Sequence, residues 1–227
     1  MDNPQHRHIR SFVLRQGHFS EAQTRAVEAG LPLWGVDYRH DLVNLDAAFG
    51  RTAPKILEIG FGMGGATVDI AAARPDNDFL GIEVHGPGVG NLLKLIEEKQ
   101  LSNIRVIRHD AVEVVEHMLA ENSLDGFHLY FPDPWPKKRQ QKRRLVQPEF
   151  LERIVKRLKP GAYIHMATDW EDYAVQMLAV LSANSQLENT AETYAERPVW
   201  RPLTKFEQRG LNLGHGVWDL MFIKRVV

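Results

Sequence analysis

The chain alternates apolar segments with helix-forming segments from residue 55 onward. Short, continuous apolar runs are typical of strands buried on both faces, and helices connect such strands in parallel sheets. We therefore expect an α/β fold with a mostly parallel sheet that is covered by helices on both sides. The predicted strands are 55–60, 79–84, 104–109, 126–131 and 161–168, with helices near 66–74, 87–99, 111–121, 148–158 and 170–184, and two further strands near 188–194 and 217–225.

Length and composition limit the classes of protein that this chain can represent. Its 227 residues suit one domain, and we predict a single domain over 1–227 whose first ten or so residues form a flexible basic tail. The absence of cysteine excludes disulfides, thiolate nucleophiles and cysteine-based zinc sites. No apolar run approaches the ~18 residues of a membrane span. We expect a cytoplasmic protein without membrane contact, either a monomer or a weak homodimer.

Glycines follow the first predicted strand, and open parallel sheets bind ligands beyond the carboxyl ends of their strands. Gly60, Gly62 and Gly65 have the G-x-G-x-x-G spacing of a dinucleotide-binding loop, although a tight turn without a ligand can have the same spacing. Glu83 ends the second predicted strand, where a carboxylate can accept hydrogen bonds from ribose hydroxyls. These residues fit nicotinamide and adenosyl cofactors equally, and a helix-capping or solvated acid is the alternative for Glu83.

Two more acids extend this series. Glu58 lies two residues before the first glycine, where a carboxylate disfavours a pyrophosphate and favours a cofactor with a cationic group. Asp110 ends the third predicted strand, where it either accepts from an adenine amino group or caps the following helix. The series resembles that of S-adenosylmethionine-dependent methyltransferases with a Rossmann-like sheet, whose cofactor has an ammonium group, a sulfonium and no phosphate.

The fourth predicted strand runs into FPDPWPKKRQQKRR, residues 131–144. Pro132 and Pro134 fix their own φ and restrict the preceding residues, so the loop holds Asp133 stiffly. Beside a methyl donor, this carboxylate suits a ring nitrogen such as guanine N7, which has a lone pair and no proton to remove. The carboxylate can accept from guanine N1–H and the 2-amino group and can offset the developing charge. Six of the eight residues 137–144 are Lys or Arg, for which phosphates are natural partners and a solvated helix face is the alternative.

Five ordered motifs give the chain a specific resemblance to one family. LEIGFGMGG, GIEVHGPGVG, FPDPWPKKRQQKRR, MATDW and RPLTKFEQRGLNLGHGVWDL together are similar to bacterial tRNA (guanine-N(7)-)-methyltransferases over roughly residues 7–226. The resemblance implies a Rossmann-like methyltransferase fold with seven strands, of which a C-terminal one is antiparallel. It also implies methyl transfer from S-adenosyl-L-methionine to N7 of a guanosine in the variable loop of tRNA.

The resemblance also assigns residues, and the spacing of the histidines leads us to expect no metal site. Asp133 would be the catalytic residue. The implied cofactor contacts are Glu58, Gly60, Glu83, Asp110 and Asp133. The implied substrate contacts are Lys137, Asp169, Thr204, Lys205, Phe206 and Glu207. The implied RNA contacts are Arg139, Gln140, Gln141, Lys142, Arg143 and Arg144.

Three other functions stay open on the residues alone. One is a Mg²⁺-dependent small-molecule O-methyltransferase with Asp133 and Asp169 as ligands, which leaves the basic run unexplained. Another is a nicotinamide-dependent oxidoreductase, against which Glu58 argues. The third is a non-catalytic RNA-binding module that keeps S-adenosylmethionine as a structural ligand. Further cations available for phosphates are Arg201, Lys205 and Arg209.

Overall fold

Seven strands form one sheet in a computed structural model that describes residues 11–12, 18–204, 207–208, 212, 214 and 216–226. The strand order is β3-β2-β1-β4-β5-β7-β6. Strands β1 to β5 pair in parallel, whereas β7 pairs antiparallel with both β5 and β6. This architecture confirms the predicted mostly parallel sheet with an antiparallel C-terminal strand. The strands are β1 (Lys55–Ile59), β2 (Asp78–Ile82), β3 (Ile104–Ile107), β4 (Leu124–Tyr130), β5 (Leu158–Thr168), β6 (Leu187–Asn189) and β7 (Trp218–Lys224).

Helices cover both faces of the sheet, because alternate side chains of each strand point to opposite faces. In β1, Ile56 packs into a buried cluster with α1, α3 and α4, while Leu57 packs into a second cluster with α2, α5, α6 and α7. In the described part of the chain, no helix is both long and apolar enough to cross a bilayer. The helices are α1 (Glu21–Trp34), α2 (Leu45–Phe49), α3 (Gly65–Ala73), α4 (Gly86–Glu98), α5 (Ala111–His117), α6 (Pro148–Arg157) and α7 (Glu171–Ala183), with a 3₁₀ helix over Lys138–Arg143.

The register brings the carboxyl ends of the central strands together. Ile59, the last residue of β1, lies opposite Ile82 of β2 and Leu129 of β4. Ile82 in turn lies opposite Ile107, the last residue of β3. The segments that follow these four strands therefore emerge at one edge of the sheet, where the predicted acids lie.

Several predicted boundaries were wrong by a few residues. The helix predicted to reach residue 121 ends at His117, and the carbonyl of Met118 accepts a hydrogen bond from the Val43 N–H at 2.8 Å. β3 ends at Ile107, so Asp110 lies three residues beyond the strand. β5 begins at Leu158, before the predicted 161, where its pairing with β4 shifts register.

Candidate active site

The glycine loop turns the chain from β1 into α3. Gly60, Gly62 and Gly64 have φ values of 74°, 56° and 75°, in the left-handed region that glycine adopts without steric cost. At Gly64 a side chain is also excluded by contact, since a Cβ atom would lie 2.7 Å from the Leu92 side chain. The three glycines therefore leave their own backbone positions free of side chains at the carboxyl end of β1, which suits close approach by a ligand.

Glu83 follows β2 and ties the glycine loop to the next strand. Its carboxylate accepts hydrogen bonds from the N–H groups of Gly62, Val84 and His85, at 2.9, 2.7 and 3.0 Å. Glu83 is half-buried and also lines the cleft described below. The prediction of a solvated acid was therefore wrong for this residue, and its ribose contact stays a prediction.

Glu58 lies behind the glycine loop, on the face of β1 that packs towards α3. The residue is 3% exposed, and its Oε2 has no hydrogen-bond partner among the described residues. Burial raises the pKa of the Glu58 carboxyl to about 7, with Glu83 adding a smaller repulsion. A buried acid without full compensation is stabilised in its ionised form by a cation.

Asp110 caps a helix and faces the same cleft. Its Oδ1 accepts from the N–H of Val112 at 2.9 Å, which makes Asp110 the N-cap of α5. This contact confirms the helix-capping alternative, and a carboxylate has further acceptor sites for an additional partner. The adenine contact therefore stays a prediction that the capping role does not exclude.

The loop after β4 has a strained backbone on both sides of Asp133. Phe131 and Trp135 have φ values of 48° and 45°, which side-chain-bearing residues adopt at a cost of ~1 kcal/mol or more. The indole N–H of Trp135 donates to the carbonyl of Ser11 at 3.0 Å, and the guanidinium of Arg143 lies 4.0 Å from its ring centroid. These contacts hold the loop in place and leave the Asp133 carboxylate exposed.

A cleft with a cavity volume of about 210 Å³ lies at this edge of the sheet. Its walls come from the ends of β1, β2 and β4, from the start of α5 and from the N-terminal segment. The polar and aromatic lining includes Ser11, Phe12, Glu83, His109, Asp110, Tyr130, Phe131 and Asp133.

The chain's relatives are consistent in name and in length. A family model described as "Putative methyltransferase" matches residues 52–220. A protein of Chromobacterium violaceum named tRNA (guanine-N(7)-)-methyltransferase is 65% identical and covers 99% of this chain and 100% of that protein. A protein of Burkholderia lata with the same name is 64% identical and covers 97% of this chain and 86% of that protein. The chain belongs to the tRNA (guanine-N(7)-)-methyltransferase family.

Solved structures share the fold at low sequence identity. The 16S rRNA methyltransferase KamB has a TM-score of 0.61 at 14% identity, over 85% of this chain and 99% of that chain. A methyltransferase from Aquifex aeolicus, described as S-adenosylmethionine-dependent, has a TM-score of 0.53 at 13% identity, over 89% and 98%. These likenesses support the Rossmann-like methyltransferase fold of the family and nothing finer.

The basic run over residues 137–144, of which the family resemblance assigned 139–144 to RNA and Lys137 to the substrate, divides into two kinds of residue. Lys137, Lys138, Arg139 and Lys142 are exposed, whereas Gln140, Gln141 and Arg143 are half-buried. Gln141 is engaged internally through its hydrogen bond to Asp172 at 3.0 Å. Three of the exposed cations lie on the 3₁₀ helix directly after the Asp133 loop, and Lys137 is its N-cap.

Arg144, the last residue of that run, is buried at 3% exposure. It donates to the Pro134 carbonyl at 2.8 Å and to the Gln176 side chain at 2.6 Å, and it forms an ion pair with Asp172. Its guanidinium also lies 4.7 Å from the ring centroid of Tyr173. In this structure Arg144 therefore supports the Asp133 loop from inside and is not placed at the surface with the other cations.

The remaining predicted substrate residues lie after β5 and before β7. Asp169 is half-buried at the end of β5, and α7 begins after Trp170 without a side-chain cap, so the capping alternative for Asp169 was wrong. Thr204 is half-buried, and Glu207 is 3% exposed. The predicted contacts at Lys205 and Phe206, and the candidate Arg209, lie outside the described residues.

Arg201 had been a candidate for phosphate contact, and this prediction was wrong. It is 2% exposed and bonded to Glu207 and Asp219. Tyr130 and Phe131 at the cleft wall were not predicted as site residues. Their only signal in the sequence was their position at the end of β4. Within the described ranges, no three His, Asp or Glu side chains cluster as a metal site would require.

Proposed function

We propose that this protein transfers the methyl group of S-adenosylmethionine to N7 of a guanosine in the variable loop of tRNA. The observation that carries the proposal is one juxtaposition at the carboxyl edge of the sheet. An acid-lined cleft ends at Asp133, and exposed cations at Lys137, Lys138, Arg139 and Lys142 follow directly. The names of relatives that are 63–65% identical over nearly the whole chain support the same activity.

The acids in and behind the cleft fit a cationic adenosyl cofactor better than a dinucleotide. Behind the cleft, Glu58 is a buried carboxylate whose Oε2 has no hydrogen-bond partner among the described residues, and its charge favours an ammonium group over a pyrophosphate. We assign ribose recognition to Glu83 and adenine recognition to Asp110, beside the Gly60 backbone. When bound, the cofactor supplies an electrophilic methyl group on a sulfonium.

The chemistry needs positioning and charge compensation more than proton transfer. The N7 lone pair of guanine forms the new bond to carbon, and the electron pair of the broken carbon–sulfur bond stays on sulfur. No proton leaves N7, so no strong base is required. Asp133, on its strained loop, accepts from guanine N1–H and the 2-amino group and offsets the positive charge that develops on the base.

The exposed cations supply the electrostatic attraction for tRNA. The chain carries a net charge of −1, so attraction of a polyanion depends on a local group of cations. Lys137, Lys138, Arg139 and Lys142 form such a group beside the cleft. Phosphate contacts by these residues would place the tRNA so that its target base reaches Asp133.

The direct test is methyl transfer from a labelled donor to an unmodified tRNA transcript, followed by nucleoside analysis. We expect labelled 7-methylguanosine, with a loss of at least ~100-fold in rate for Asp133→Ala. The matched control is Asp76→Ala, because Asp76 is an exposed residue between α3 and β2 at the opposite edge of the sheet.

Other outcomes of this assay would favour one of the other functions or reject the role of Asp133. Methylation of small hydroxylated acceptors that stops with EDTA would favour the Mg²⁺-dependent O-methyltransferase. Cofactor and tRNA binding without transfer would favour the non-catalytic module. Full activity of Asp133→Ala would reject the role that we assign to this carboxylate.

A further inference from the structure

Arg201 lies at the centre of a buried group of charges before the C-terminal segment. Its guanidinium donates to both oxygens of Glu207, at 2.8 and 2.7 Å, and to both oxygens of Asp219, at 2.9 Å each. All three side chains are at most 4% exposed. Two bidentate pairs on one guanidinium fix the orientation of both carboxylates. Arg201 thereby attaches Glu207 to β7.

Hydrogen bonds through His165 connect this group of charged side chains to the wall of the cleft. Asp219 accepts from His165 Nε2 at 2.7 Å, so this nitrogen carries the proton and Nδ1 accepts from the Tyr130 hydroxyl at 2.9 Å. Burial lowers the pKa of His165 and raises that of Tyr130, so both side chains are neutral at pH 7. Tyr130 lines the cleft, and the hydrogen-bonded chain therefore extends from Glu207 to the proposed cofactor site.

Arg201 also contacts the loop that carries Asp133. Its guanidinium lies 5.7 Å from the ring centroid of Phe131, within the range of a cation–π interaction. Phe131 has the positive φ of 48° that begins this loop. One buried side chain thus contacts Glu207, β7 and the loop that carries Asp133.

Glu207 is poorly placed to contact a base itself. Its side chain is 2% exposed, and each of its oxygens already accepts a hydrogen bond from Arg201. Its backbone N–H donates to the hydroxyl of Thr204 at 3.1 Å. The contacts of Glu207 are therefore those of a residue that holds neighbouring parts of the protein together.

We propose that Arg201 and Glu207 are positioning residues for methyl transfer, and that Glu207 acts through Arg201 instead of contacting the target guanine. Their ion pair holds Glu207 against β7 and beside Phe131, and so sets where the base lies relative to Asp133. This inference rests on the proposed function and replaces the base contact that the family resemblance assigned to Glu207.

The test combines a double-mutant cycle with a changed base. Glu207→Gln, Arg201→Lys and the double variant are assayed on tRNA transcripts that carry guanosine or inosine at the target position. Inosine lacks the 2-amino group that a carboxylate on the guanine edge would bind. We expect each single variant to lose about tenfold to hundredfold in kcat with a smaller change in KM for tRNA. We expect the double variant to lose no more kcat than the single variant with the larger loss.

The guanosine-to-inosine rate ratio should be the same in Glu207→Gln as in the parent chain, because no contact to the base is removed. Losses that multiply in the double variant, or a ratio that falls in Glu207→Gln, would overturn the inference. This ratio needs only the one isosteric variant, so it decides the question even where Arg201→Lys does not fold.

The matched control is the exposed pair of Glu188 and Arg225, with Glu188→Gln and Arg225→Lys, whose side chains are 66% and 52% exposed. These variants should keep the parent kcat. A parent chain that forms no 7-methylguanosine would reject the proposed function. A parent chain that methylates, with multiplying losses in the cycle, would reject only the inference about Arg201 and Glu207.

Discussion

At the scale of single residues, Glu58 shows that a carboxylate proposed to bind the ligand can lower the stability of the folded chain when no ligand is bound. A carboxylate buried among apolar side chains in β1 binds its proton more tightly than in the unfolded chain, and its pKa rises from 4.5 to about 7. By linkage, the folded chain without ligand is stabilised by this proton below pH 4.5 and loses that stability as the pH rises through about 7. A cationic ligand would reverse this loss.

Replacing Glu58 with Gln removes the titrating group but keeps its shape. We expect Glu58→Gln to exceed the parent chain in free energy of unfolding by up to about 3 kcal/mol at pH 8, and the difference to vanish towards pH 4.5. The same substitution should weaken S-adenosylmethionine binding about tenfold or more, because the compensating anion is gone. Urea unfolding at several pH values and calorimetric titration measure the two effects.

A control for this prediction is Glu98→Gln, since Glu98 is half-exposed at the end of α4. It should leave both stability and binding unchanged. A stability difference for Glu58→Gln that does not vary with pH would contradict the assigned titration.

Single residues are also where prediction from sequence reached its limit. Arg143 and Arg144 are adjacent and alike in sequence, yet only Arg144 is fully buried. The difference comes from Asp172 and Gln176 on α7, which lie 28 and 32 positions away in the chain. The contact between His165 and Asp219 spans 54 positions and depends on the antiparallel register of β7. Local pattern contains no information on such pairs.

At the scale of elements, the alternation of apolar and amphipathic segments predicted every strand of the sheet. This worked because β1 and β2 are buried along their whole length and so appear as mostly apolar runs, with Glu58 as the charged exception inside β1. The parallel direction of the strands then placed their carboxyl ends, and hence Glu83 and Asp133, at one edge. The element ends were less predictable, since tertiary contacts such as that of Met118 with Val43 decide them.

The 3₁₀ helix after the Asp133 loop carries the element-scale prediction. Replacing Lys138, Arg139 and Lys142 with Gln should weaken tRNA binding and reduce the slope of log K against log salt by about two to three, at ~0.7–0.9 per lost phosphate contact. Arg144→Gln should instead lower the melting temperature, because it leaves Asp172 and the Pro134 carbonyl without their buried partner.

Three other cations serve as the control for this helix. Lys94 lies in the second half of α4, Lys99 is its C-cap, and Lys156 lies in the last turn of α6; both helices run from the carboxyl edge of the sheet to the opposite edge. Replacing these three cations with Gln changes the net charge by the same amount as the first triple variant. It should leave the slope of log K against log salt almost unchanged. An unchanged slope for the first triple variant would show that the 3₁₀ helix does not contact the tRNA backbone.

At the scale of the whole molecule, the two apolar clusters share one sheet. Leu57 and Ile56 are neighbours in β1 but belong to opposite clusters. Because both clusters pack on the same strands, loss of packing in one cluster exposes strands on which the other cluster depends. For this reason we propose that the folded part of residues 1–227 is one cooperative domain, and that ligand binding at the sheet edge stabilises all of it.

Thermal unfolding tests both statements together. Tryptophan fluorescence and far-ultraviolet circular dichroism should show one coincident transition. S-adenosylmethionine at about 100 times its Kd should add ~2.7 kcal/mol and raise the Tm by roughly 5–10 °C, because it binds only the folded chain. NAD at the same concentration should leave the Tm unchanged, since the Glu58 and Glu83 carboxylates repel its pyrophosphate. Two separate transitions would contradict a single domain, while an equal shift with NAD would favour a dinucleotide site in the same cleft.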